Sequence, residues 1–129
     1  MNETVTIVLP LPPAVLSPNR PPGSIGGRMK KAAAAKRLRG LARTAALEEG
    51  IESAPWESAT LQAVFYHKQK RRRDGTNYNA SLKAAQDGIV DAGLIVDDDA
   101  DHLTTLPPVF RIDKGLSRVE LTLERQERG

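Results

Sequence analysis

"SRVELTLER", residues 117 to 125, alternates without a fault. Val119, Leu121 and Leu123 share one parity, and Arg118, Glu120, Thr122 and Glu124 share the other. Successive side chains on a strand point to opposite faces, so this segment belongs to a sheet with one apolar face and one polar face. Two more segments obey the same rule. "ETVTIVLPL" sets Val5, Ile7 and Leu9 against Thr4, Thr6 and Val8, and "ATLQAVFYH" aligns Leu61, Ala63 and Phe65. One-sided strands need a second layer to cover their apolar face.

The chain supplies that layer between the strands. "RMKKAAAAKRLRGLARTAALEEG" is rich in strong helix formers and is stopped by Gly50, with Gly40 a weak point inside it. "DGTN" reads as a turn opening a helix that runs to about Ala92, with Thr76 or Asn77 as its N-cap. Leu82, Ala85 and Ile89, with Gly93 further on, recur at helical spacing and mark its core face. "PLPPAVLSPNRPPGSIGG" must be loop. "HLTTLPPVFRID" is extended, but Pro107 and Pro108 confine it to an edge or a bulge. "DKG" at 113 to 115 is a turn. The predicted order is β-α-β-α-β-β: a single α+β domain over residues 1–129, a mixed sheet with two main helices packed on it. A length of 129 residues with 40% hydrophobic content fits one domain with a modest core.

Other features exclude whole classes of chemistry. There is no cysteine, so disulfides, thiolate catalysis and cysteine-ligated zinc are out. No apolar run nears the roughly 18 residues of a membrane span. The N-terminus carries an acid and no basic region, unlike a secretory signal. The expected location is the cytoplasm, with no membrane partner. No phosphate-binding glycine loop, dinucleotide fingerprint or Ser/His/Asp signature is present. His67 and His102 lack ligand spacing and read as structural or surface groups. The five aromatic residues are not interleaved with the basic runs, which argues against a base-stacking single-strand module.

Charge is segregated although the net value is only +3. Arg28, Lys30, Lys31, Lys36, Arg37, Arg39 and Arg43 follow one another without an acid. Lys68, Lys70, Arg71, Arg72 and Arg73 crowd together just before Asp74. "VDDDAD" then packs Asp97, Asp98, Asp99 and Asp101 into five positions. Asymmetry of this kind suits a polyanionic partner, although solvated charged surfaces are also common. A helix of about 16 residues spans roughly 24 Å, so Asp74 and Asp98 can meet only if "GLIV" doubles back along it. Carboxylates gathered at one spot need a cation, and Mg²⁺ takes one or two of them together with water and substrate phosphate. Such a metal activates water against a phosphodiester, while neighbouring cations hold flanking phosphates. The same acids also suit an exposed loop or a helix N-terminus. Lys83 and Asp87 are four apart, the spacing of a surface ion pair, which is the first reading of Lys83; the alternative is that it points into the acid cluster.

"RRRDGTNYNASLKAAQDGIVDAGLIVDDDADHL" resembles the RusA family of Holliday-junction resolvases (crossover junction endodeoxyribonucleases) of bacteria and their phages. The shared pattern is an arginine-rich approach, D-x-D-N, a helix with K-x-x-x-D-G-L-x-D-A-G, and a D-D pair. "LPLPPAVLSPN" followed by a basic helix is similar to the family's opening. The resemblance implies an α+β homodimer that cuts four-way and other branched DNA with Mg²⁺, with Mn²⁺ as a substitute. It implies Asp74, Asp98 and Lys83 as catalytic residues and Asp74, Asp98 and Asp97 as metal ligands. Asn77 and Asp87 are in support. Lys70, Arg71, Arg72, Arg73, Lys30, Lys31 and Arg37 are the expected DNA contacts. The chain departs from the pattern at Thr76, which stands where the family has its second acid. Asp97, Asp99 or Asp101 could supply that carboxylate, or water could complete the metal shell. The alternative is a catalytically impaired protein that binds branched DNA on the same scaffold.

Overall fold

β2 (Ala59–His67) is the strand around which the sheet is built. In chain order the elements are β1 (Thr4–Leu9), a single 3₁₀ turn (Ala14–Leu16), α1 (Ile25–Glu48), β2, α2 (Gly75–Ala80), α3 (Lys83–Asp91), β3 (Leu103–Thr105), β4 (Val109–Ile112) and β5 (Arg118–Arg125). The computed structural model describes residues 3–16, 23–69 and 75–127, with only the backbone of residues 75–77. The sheet order is β1-β5-β2, with β3 and β4 both pairing on the far side of β2. β5 runs antiparallel to β1 and β2, whereas β3 and β4 run parallel to β2. The α+β class and the mixed sheet are as expected, but the sheet has five strands rather than four, because the extended segment around Pro107 and Pro108 is split into β3 and β4.

The alternation sets which face is covered. Val5, Ile7, Leu9, Leu61, Ala63, Phe65, Val119, Leu121 and Leu123 are all buried, and the residues between them are not. The open face carries cross-strand polar contacts, such as Thr6 Oγ1 to Thr122 Oγ1 at 3.0 Å and the Arg118 guanidinium 3.9 Å above the Tyr66 ring. The prolines act as expected. Leu106–Pro108 separates β3 from β4 along one edge, and the register against β2 slips by one residue between them. That is a bulge. Gln62 Nε2 donates to Pro107 O at 2.6 Å and bridges the gap where the proline nitrogens cannot donate.

α1 begins three residues earlier than helix-former content suggests. Ser24 caps it, its side chain accepting from Gly27 N at 3.0 Å, so "SIGG" is a helix start rather than loop. Beyond the far end Gly50 adopts φ 59°, as a stop should. Leu38, Ala42 and Ala46 are the helix's buried stripe. Gly40 faces open space, with no atom within 4 Å of a Cβ built there. Gly40→Ala is accordingly expected to stabilise by about 1 kcal/mol. That corresponds to a rise of roughly 3–5 °C in the midpoint of a circular-dichroism melt. A fall would mean that α1 needs the glycine.

The second helical region differs from the single 16-residue helix expected. It is two pieces, broken at Ser81 and Leu82. Ser81 Oγ donates to Tyr78 O at 2.6 Å, and Leu82 sits at φ −91°, ψ 3°. A hydroxyl bonding a nearby carbonyl offers the backbone an alternative to the helical ladder. Thr76 and Asn77 lie inside the first turn of α2, so neither is an N-cap of a helix beginning after it. Leu82, Ala85 and Ile89 are buried as the pattern requires. No helix among the described residues is long and apolar enough to cross a membrane.

Candidate functional site

The acid loop is placed by a reversal. Gly93, at φ 78°, follows the end of α3, and the chain turns back through Leu94, Ile95 and Val96. Trp56 N donates to Leu94 O at 2.8 Å and Val96 N to Trp56 O at 2.9 Å, a parallel bridge that ties the returning strand to the chain just before β2. Leu94 and Ile95 are buried against the core, and Trp56 is fully buried with its indole N–H donating to Ser53 Oγ at 2.8 Å. "GLIV" thus doubles back as the sequence requires if its acids are to return along the helix.

The result is a triad at the start of α3. Lys83 Nζ donates to Asp87 Oδ1 at 2.9 Å and also to Asp98 Oδ2. Asp98 is well sheltered, with 11% of its side chain exposed, whereas Lys83 is 63% exposed. Asp97 turns its Oδ1 inward to accept from Asp98 N at 2.7 Å. The Lys83 ammonium holds the Asp98 carboxyl below the ordinary carboxylate range, helped by the Asp97 contact and opposed by burial. In return Asp98, then Asp87, raise the Lys83 pKa above its usual value. Both groups are therefore charged at neutral pH. The two readings of Lys83 prove compatible: it is an i,i+4 ion pair and it also reaches the acid cluster.

Asp99 is occupied locally. Asp99 Oδ1 lies 2.6 Å from His102 Nδ1 and accepts from Asp101 N at 3.1 Å. His102 lowers the Asp99 pKa. Asp99 is thus part of a turn, a poor candidate for the carboxylate that position 76 lacks. Asp101 is exposed in the same turn.

An aromatic group seats α2, which the sequence did not disclose. Tyr78 packs edge-on against Phe65 at 5.0 Å, Phe110 at 5.1 Å and His67 at 5.5 Å. These side chains come from α2, β2 and β4, so segments distant in sequence converge only in the fold. Asn79 Nδ2 donates to Leu106 O at 3.1 Å, tying α2 to the proline bulge. Tyr78 and Asn79 are two positions that pattern reading passed over, and the "NYN" run carried no periodic signal.

The expected site residues divide into three groups. Asp97, Asp98, Lys83 and Asp87 come together. Lys30, Lys31 and Arg37 stand on α1, with Lys30 and Arg37 exposed, and among the described residues no ion pair joins them to the acid loop. Asp74, Lys70, Arg71, Arg72 and Arg73 lie outside the described residues, as do the side chains of Thr76 and Asn77. One cation of the basic helix is diverted to structure: Arg39 grips Asp91 of α3 through Nε at 2.5 Å and Nη2 at 2.8 Å. Among the described residues no three acids or histidines form a metal-holding group. No protein-family model matches the chain, and no curated protein matches it.

Proposed function

We propose that the protein is a Mg²⁺-dependent endonuclease acting on branched DNA, with four-way junctions as the substrate class. The observation that carries this reading is the return of Asp98 to Lys83 beside Asp87. A sheltered carboxylate held ionised next to an exposed ammonium is suited to phosphodiester hydrolysis. The donors at the loop are hard carboxylate oxygens, the type that Mg²⁺ prefers. Asp98 and Asp97, with Asp74, are the residues proposed to hold the ion. When bound it would lower the pKa of a water and draw charge from the phosphate.

Lys83 takes a definite part in this reading. Its exposed ammonium, held at the start of α3 by Asp87 and Asp98, would stabilise charge on the phosphate or the leaving group. In the reaction a water oxygen bonds to phosphorus as the ester P–O bond breaks, solvent takes up the water's proton, and the leaving sugar oxygen takes a proton from solvent to end as a hydroxyl. Lys70, Arg71, Arg72 and Arg73, with Lys30, Lys31 and Arg37, would hold the DNA arms through phosphates. A homodimer would set two such sites across one junction, matching the two cuts that resolution needs.

Thr76 favours a second reading, a binding protein without cleavage. The two are separated by incubating a labelled synthetic four-way junction with the protein in Mg²⁺ and then in EDTA. Paired nicks that depend on Mg²⁺ are expected. Tight junction binding without nicks in either Mg²⁺ or Mn²⁺ would overturn the nuclease and leave the binding protein.

A further inference from the structure

The segment after β1 does not lie flat on α1. Between them is a groove of about 390 Å³, within the range typical of small ligand sites. Pro10, Leu11 and Pro13 line one side, and α1 lines the other with Ala34, Leu38 and Leu41. The proline wall is stiff, so the groove costs little to organise. Arg37 is the charged side chain that lines it among the described residues.

Among the described residues Arg37, like Arg28 and Arg43 on the same helix, forms no ion pair, whereas Arg39 does. Arg39, Arg118 and Arg125 each pair with a carboxylate, at 2.5, 2.7 and 2.9 Å. Lys30 is seven positions earlier, two turns along the same face of α1. α1 carries no acid between Ile25 and Leu47, and residues 10–16 carry none. The groove is therefore an apolar slot bordered by positive charge alone.

We propose that this groove docks an acidic peptide segment of a partner protein, one bearing a large apolar side chain next to a carboxylate. The apolar group fills the slot and the carboxylate takes the Arg37 fork, a geometry guanidinium groups favour. Lys30 meets the acids that follow. A DNA backbone would satisfy Arg37 and Lys30 but present sugar and phosphate to an apolar slot, leaving it unfilled. This inference does not need the nuclease reading, but it uses Arg37 and Lys30, which that reading gives to the DNA arms, so peptide and DNA would compete for this face of α1.

Fluorescence anisotropy of the full chain with a fluorescein-labelled acidic octapeptide, ending in Phe with a free carboxylate, tests it. A Kd in the tens of micromolar is expected at low salt. Arg37→Glu and Leu41→Asp should each weaken it at least tenfold; both positions are exposed, so both variants should fold. Arg43→Glu makes the same charge change on another flank of α1 and should cost less than threefold. Amidating the probe's terminus, or ending it in Ala, should weaken binding about fivefold or more. Equal losses from Arg43→Glu and Arg37→Glu would reduce the effect to general charge and overturn the site. So would absence of binding at 1 mM protein. If Leu41→Asp instead converts a dimer to a monomer in light scattering, a second copy occupies the groove. If Leu41→Asp weakens duplex DNA as much as it weakens the peptide, nucleic acid does. Either result overturns the peptide.

Discussion

Asp98→Asn should abolish Mg²⁺-dependent junction cleavage, by roughly 10²–10³-fold or more, the scale of losing one electrostatic contact to a reacting phosphate. The change is nearly isosteric and leaves the loop its other anchors, the Trp56 bridge and the buried Leu94 and Ile95. Lys83 keeps Asp87 at 2.9 Å. The fold should therefore survive, and junction binding should hold or tighten, because one negative charge facing a polyanion is gone. Asp99→Asn is the matched control. Asp99 is spent on His102 and the turn, so its loss should cost cleavage less than about tenfold. Equal losses from both variants would mean that the loop acts through bulk charge, and cleavage surviving in Asp98→Asn would remove Asp98 from the chemistry.

The Lys83 pairing adds a pH test. The ammonium is the main cause of the depressed Asp98 pKa, so the carboxylate persists to lower pH than an ordinary aspartate. Removing the ammonium with Lys83→Met should let that pKa climb back. The acid limb of the cleavage profile should then shift to higher pH, in addition to a lower plateau rate. The sign for stability is the same. A depressed carboxyl pKa contributes stability above the unfolded value and loses it as pH falls through the folded one. With Lys83 largely exposed, that contribution is small. A lower plateau with an unmoved acid limb would show that Asp98 ionisation does not limit the rate.

The parts of this architecture that were legible are those governed by strict periods. Val119, Leu121 and Leu123 alternate, so β5 and its covered face could be read directly, and the same held for β1 and β2. The reversal at "AGLIV" was legible because Gly93 is a natural helix stop. The break at Ser81 was not, because Leu82, Ala85 and Ile89 keep helical spacing across it while a single hydroxyl decides the backbone. The return of Asp98 to Lys83 could only be posed as a condition, since the Trp56 bridge that enforces it joins segments about 40 residues apart. The aromatic seat of α2 drew on three elements, and no window of sequence contains it. Gly88 was hidden for another reason. It occupies a core position where the missing side chain is the point, and hydrophobic patterns do not count absences.

Gly88→Ala should accordingly be the most destabilising small change in the helical layer. A Cβ there would lie 2.1 Å from Arg39 O and 3.0 Å from the Ala42 Cβ. The first neighbour is backbone in mid-helix and cannot swing aside, so α1 and α3 must part. Separation would loosen the packing of Leu38, Ala42 and Ile89 and stretch the Arg39–Asp91 fork. Forced overpacking of a core costs about 1–3 kcal/mol, and a backbone clash puts this site at the upper end. A midpoint lower by roughly 8–12 °C is expected in thermal melts, although alanine is the better helix former. Gly40→Ala makes the identical chemical change on the exposed side of α1 with the opposite sign. The contrast isolates contact from propensity, and the double variant should sum the two shifts. α3 also carries Lys83 and Asp87, so movement away from α1 displaces the ammonium from Asp98. Gly88→Ala should therefore lower cleavage below its melting point as well, with Gly40→Ala leaving the rate unchanged. A Gly88→Ala protein as stable as the parent would show that the two helices do not meet at this glycine.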